Sequence, residues 1–256
     1  MRLTGDEAAA LAERLSSSAE SHGVVLRALG GVGIYLRSAA AAPELGRDYN
    51  DVDLVAPAKG RKGIAMAMAE AGMVGEERFN ARQGHRRQIW WTPDGESHVD
   101  VFLGRFEMCH RLDLDGRLGV EHPALSAADL LLTKLQIVEM TQKDVTDIAM
   151  LLLTHSLGDS DAAGQLNVDR LVQVLSDDWC FYTTVTDNLE GLPAMLDGAA
   201  SAHAGAVEGV SAQLLATLSA AEKSRSFKLR ARIGRRKRWY ELPEQTLDPT
   251  YEPGGE

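Results

Sequence analysis

The spacing of apolar positions changes several times along the first hundred residues, and each change predicts an element. Residues 6–20, rich in Ala, Leu and Glu, have the content of a surface helix. A short apolar run at 24–29 is punctuated by Gly30, Gly31 and Gly33 before Ile34-Tyr35-Leu36, which reads as strand, tight glycine turn, helix. Residues 51–57 predict a second strand stopped by Pro57, and residues 62–73 a helix closed by Gly72. Two alternating runs within 87–104 flank Pro93-Asp94-Gly95, the signature of a β-hairpin. Beyond about residue 122 the alternation ends, no further strand is expected, and leucine-rich helical segments run to about 222. The pattern therefore predicts an α/β unit with a mixed sheet over 1–122, then a helical unit over 123–222, with no internal repeat.

The predicted strands carry carboxylates. Asp51 and Asp53 are two apart, so they project from one face of their strand. Two like charges that close repel unless a cation lies between them, and oxygen ligands suit a hard ion such as Mg²⁺. In the hairpin, Val99, Val101 and Leu103 take one face and His98, Asp100 and Phe102 the other, which makes Asp100 a third candidate ligand. Three strand carboxylates on a common surface can hold two Mg²⁺ ions about 4 Å apart, the arrangement of two-metal phosphoryl chemistry. An isolated D-x-D is ordinarily a solvated turn, as expected for Asp113-Leu114-Asp115-Gly116. Asp51 and Asp53 differ in following a glycine pair, Gly30-Gly31, whose backbone N–H groups at a helix start can cradle phosphate.

This constellation, Gly30-Gly31, Asp51-Val52-Asp53 and His98-Val99-Asp100, resembles the polymerase-β-like nucleotidyltransferase superfamily over roughly residues 24–153. The resemblance implies that core fold, two Mg²⁺ ions held by Asp51, Asp53 and Asp100, and an NTP whose phosphates meet Gly30 and Gly31. Arg47 falls where many small members carry an arginine, and Tyr49 stands where they often have Thr or Ser. Ser126 and Asp129 have capping-box spacing before a helix, and Thr141 with Asp144 predicts a second one starting near Gln142. Lys134 has Leu130, Leu131, Ile137 and Val138 as its helical neighbours, so it must snorkel out or find an anion. The segment from Lys134 to Asp147 is similar to one in toxin-type and antibiotic-modifying nucleotidyltransferases. That likeness implies a phosphate contact for Lys134 and a supporting role for Asp147, which can otherwise pair with Lys143.

Composition narrows the class further. The 256 residues are 45% hydrophobic and 25% charged, which excludes wholesale disorder, and two cysteines exclude a disulfide scaffold. Cys109 and Cys180 are expected to be buried thiols. The amino terminus has no signal-peptide core and no apolar run reaches membrane-spanning length, so a cytoplasmic protein without a membrane span is expected. Residues 1–222 carry 18 basic and 32 acidic side chains, whereas 223–238 carry nine Lys or Arg and no acid. With Phe227, Trp239 and Tyr240 interleaved, segment 223–240 suits phosphate contacts and base stacking on RNA. It can equally dock on the acidic body or on an acidic partner. The tail 241–256, with its prolines, glycines and acids, is expected to be flexible. The basic cluster His85-Arg86-Arg87 is expected on a solvated edge strand, and one of Trp90 and Trp91 in the core.

Taken together, these features predict an enzyme that transfers a nucleoside monophosphate from an NTP to an acceptor hydroxyl. RNA, with tRNA as one form of it, is the first acceptor expected, as for a toxin with an antitoxin partner. An adenylyltransferase acting on a small molecule such as an antibiotic is the alternative. A non-catalytic nucleotide- or RNA-binding module is the third reading.

Overall fold

The computed structural model describes residues 2–39 and 42–242. The first helix, α1 (Gly5–Ser21), starts in a complete capping box between Thr4 and Glu7. The predicted strand at 24–29 shrinks to β1 (Arg27–Ala28), because Val24 is still used to close α1, its N–H donating to Ala19 O. Leu29 then donates to Asp53 O, and the chain enters α2 (Gly30–Ser38). Next come β2 (Asp51–Ala56), α3 (Arg61–Glu70), β3 (Val74–Gly75) and α4 (Glu77–Gln83). The predicted hairpin is β4 (Arg87–Trp91) and β5 (His98–Leu103), and a smaller one follows, β6 (Arg105–Glu107) and β7 (Arg111–Asp113).

The five-stranded sheet has the order β1-β2-β5-β4-β3, with β2 parallel to β5 and the other neighbours antiparallel, so it is mixed. Alternation sends its two faces into different cores. Val52, Leu54, Ala56, Val99, Val101 and Leu103 pack with Leu11 and Leu15 of α1 and Ile64 and Met68 of α3. Val55 and Phe102 face the other way, into a core shared with the helical unit. The carboxylate face of the sheet is thus the one that looks toward the helices.

That unit is α5 (Ala127–Leu135), α6 (Gln142–Thr154), α7 (Val168–Leu175), α8 (Trp179–Met195), α9 (Ala204–Ala220) and α10 (Arg225–Ile233). The start of α6 at Gln142 has its capping box formed between Thr141 and Asp144. The expectation that strands end near residue 122 is corrected. A parallel pair, β8 (Ser156–Gly158) and β9 (Gln165–Asn167), sits between α6 and α7, with Leu166 buried in the helical core. Three-residue strands offer too few positions for alternation to be read. No helix among the described residues is long and apolar enough to cross a membrane. The expected flexible tail lies outside the described residues from 243 onward.

Candidate active site

The parallel register places Asp51 beside His98 and Asp53 beside Asp100. Four polar side chains therefore share one face of two neighbouring strands. Ligand atoms of Asp51, His98 and Asp100 come within 4.8 Å of one another, while the Asp53 carboxylate is outside that set. Asp53 turns instead toward the start of α2, where a Cβ on Gly30 would collide with its Oδ2. Gly30 also has φ +60°, a conformation that a side chain disfavours, so glycine is required there on two counts. A Cβ on Gly31 would collide with Arg47 Nη2. The first N–H groups of α2, with no side-chain cap, have no acceptor within the helix.

Burial, then the charges of Asp51 and Asp100, raise the Asp53 pKa well above the usual carboxylate value, with Lys134 and Arg87 offsetting part of the rise. Asp100 is 2% exposed and is gripped by Arg87, Nε to Oδ1 at 3.0 Å and Nη2 to Oδ2 at 2.6 Å. This corrects the reading of Arg87 as part of a solvated edge, whereas His85 and Arg86 are exposed as expected. β4 lies inside β3 in the sheet, and Arg87, opposite Phe102, reaches diagonally to Asp100 across the hairpin. The turn at Pro93-Asp94-Gly95 was the signal from which that register could be deduced. His98, on the Asp100 face as the alternation predicts, has Nε2 3.7 Å from Asp100 Oδ2 and its ring 5.2 Å from that of Trp91. Trp91 is buried, as expected of one of the pair.

Lys134, 9% exposed, does not snorkel out, and the anions it finds are two carboxylates. Its Nζ lies 2.8 Å from Asp144 Oδ1 and 2.9 Å from Asp147 Oδ2. Burial works to lower its pKa, but Asp147 and Asp144 outweigh it and raise the value above that of an ordinary lysine. Asp147 does not pair with Lys143. It binds Arg47 instead, Nη2 to Oδ2 at 3.0 Å, and Arg47 stacks 4.3 Å from the centre of the Tyr49 ring. Burial is the main cause that pushes the Tyr49 phenol upward, so the residue replacing Thr or Ser here is a neutral platform.

Gly30, Asp53, Lys134 and Asp144 line one cavity of about 330 Å³ together with Phe106, Met108, Cys109 and Leu242. Cys109 is buried as expected, but Cys180 is half-buried. Leu242 reaches the cavity because Glu241 N–H donates to Cys109 O. The basic segment before it is only partly free. Phe227 is buried against Tyr182, Trp239 Nε1 donates to Thr184 Oγ1, and Arg235 pairs with Asp187. Phe227 and Trp239 anchor the segment to α8 rather than standing free for bases, since large aromatic area is worth more buried than exposed. Arg225, Lys228, Arg232, Arg236 and Lys237 stay exposed.

No family model matches the chain, and no curated protein matches it. Among solved structures, the chain is similar to an antigenic nucleotidyltransferase-like protein from Paracoccidioides brasiliensis. The two are 15% identical over 88% of this chain and 98% of that one, with a TM-score of 0.46. What this chain can do is decided by its own side chains.

Proposed function

We propose that the chain is a metal-dependent nucleotidyltransferase that moves a nucleoside monophosphate from an NTP to an acceptor hydroxyl and releases pyrophosphate. One observation carries the reading: the β2–β5 register gathers Asp51, Asp53, Asp100 and His98 beside the glycine start of α2. The donor set fits divalent cations, because Asp53 stands beside Asp51 and Asp100, whose charges add to burial in raising its pKa. Asp51, Asp53 and Asp100 would hold the two ions. When bound, such ions lower the pKa of the attacking hydroxyl and neutralise charge on the phosphoryl oxygens.

The remaining roles belong to the chain itself. N–H groups of Gly30 and Gly31 donate to the β- and γ-phosphates, while the absence of a Cβ on either lets Asp53 and Arg47 pack close beside them. Lys134 lines the same cavity and presents its charge to the triphosphate. Arg47, stacked on Tyr49 and tied to Asp147, holds the loop before Asp51 in place.

The acceptor assigned is RNA, such as a tRNA 3′ end, in the manner of a toxin-type enzyme with an antitoxin partner. Its support is the run of exposed cations on α10, and the chain that continues from them to Leu242 at the cavity. Leu229 and Ile233, 61% and 47% exposed among those cations, offer a protein partner an apolar grip. A small-molecule acceptor such as an antibiotic is the second reading, favoured by the apolar share of the cavity wall. The test offers each α-³²P-labelled NTP, with Mg²⁺ or Mn²⁺, to the protein plus total cellular RNA. Label in a discrete RNA band, lost in Asp53→Asn and reduced in Lys228→Glu/Arg232→Glu, is expected. Label only on a drug panel selects the second reading. Nucleotide binding without turnover on any acceptor leaves a binding module and overturns the enzyme.

A further inference from the structure

We propose that His98 is a metal ligand through Nε2, and that this nitrogen makes the site prefer Mn²⁺ to Mg²⁺. The inference rests on the nucleotidyltransferase reading of the same site and concerns which ion it takes. Asp51 and His98 are direct partners in the parallel ladder, so the imidazole rises from the sheet next to a ligating carboxylate. Two ligands each about 2.2 Å from one ion are about 3 Å apart at a right angle and a little over 4 Å apart across it. The 3.7 Å between His98 Nε2 and Asp100 Oδ2 falls within that span. The full set, spread over 4.8 Å, closes on one ion with side-chain movement of about half an ångström.

Both ligands are held from behind. The Trp91 ring lies against the His98 imidazole, 5.2 Å between centroids and tilted by 55°, and limits its rotation. Arg87 occupies one lone pair on each Asp100 oxygen and leaves the others for a metal. Mg²⁺ takes oxygen ligands and keeps its waters, whereas an imidazole suits first-row transition metals, so one nitrogen biases the site toward Mn²⁺. Arg87 also supplies a fixed positive charge beside Asp100, which reduces the excess negative charge the site presents to any cation.

The decisive experiment titrates chelator-treated full-length protein with Mn²⁺, first alone and then in competition with Mg²⁺, reading free ion by EPR and the bound ion by electron spin echo envelope modulation. Directly bound ¹⁴N modulation is expected in the wild type. His98→Ala is expected to lose it, to weaken Mn²⁺ binding by about tenfold or more, and to leave Mg²⁺ competition nearly unchanged. Bound Mn²⁺ without nitrogen modulation in the wild type overturns the histidine ligand and leaves the carboxylate site standing. Mn²⁺ and Mg²⁺ bound equally tightly overturn the selectivity, and no binding of either ion overturns both this proposal and the metal-dependent function.

Discussion

The protein clusters carboxylates in two places and treats them differently. In the helical unit every buried Asp has a cation at hydrogen-bond distance. Asp129 lies 2.6 Å from Arg117 Nε and 2.9 Å from Arg170 Nε, and Asp144 and Asp147 share Lys134. On the sheet, only Asp100 is so treated, by Arg87. Among the described residues, the exposed Asp51 and the half-buried Asp53 have no cation within ion-pair distance, and desolvation, then the charges of Asp51 and Asp100, raises the Asp53 pKa. A buried ion pair broken on one side leaves an unpaired charge, whereas carboxylates crowded together store repulsion that an added cation relieves. The helical carboxylates thus hold the fold together, while the sheet carboxylates are a group that could hold an ion.

The largest effect should separate the two sites by activity. Asp53→Asn is expected to lower nucleotidyl transfer by ~10⁴-fold, about 5 kcal/mol of transition-state stabilisation, with the thermal midpoint unchanged or raised. Transfer at the wild-type rate would break the comparison. Asp129→Asn should do the reverse, costing about 3 kcal/mol in urea-melt stability by leaving Arg170 without a carboxylate and Arg117 with Asp161 alone. Lys134→Met should cost about 3 kcal/mol, and a double-mutant cycle with Asp147→Asn should recover at least 1 kcal/mol of it. Additive costs would mean that the pair is not coupled. Gly30→Ala should cost about 2 kcal/mol through strain at φ +60° and displace the Asp53 carboxylate, which a fall in Mn²⁺ affinity would report.

The smallest test concerns a buried group without an ionic partner. Burial lowers the His110 pKa to about 4, with its Nε2 against Thr184 Oγ1. The folded state thus favours the neutral ring, so its contribution is complete above the unfolded value near 6.5 and is lost as pH falls toward 4. Between pH 7 and pH 5.5 the wild type should lose about 1 kcal/mol more stability than His110→Gln. His155, also lowered by burial, adds the same sign to both proteins and cancels in the difference. Parallel pH profiles for the two would refute the assignment.

Much of the site was legible because it rests on local rules. Strand alternation placed Asp51 with Asp53, and His98 with Asp100, while the turn at Pro93-Asp94-Gly95 paired β4 with β5. Capping spacing located α6 to the residue. Very short strands such as β8 and β9, and the helix α4, gave no periodic signal of sufficient length. The aromatic residues of the basic segment read as nucleic-acid contacts, and it was the packing against α8 that claimed Phe227 and Trp239.

The sequence by itself determined which side chains share a face, where helices begin, and that the chain carries one acidic body and one basic strip. Those properties depend on neighbours a few residues away, where backbone geometry sets direction. Only the tertiary structure decided which charges are neutralised. Arg47 meets Asp147 a hundred residues on, and Asp53 comes beside Asp100 across β2 and β5. Such pairings follow from the register of a parallel crossover and the docking of α6 beside α2, which no local spacing encodes. That long-range balance of charge is what distinguishes the structural carboxylates from the candidate catalytic ones.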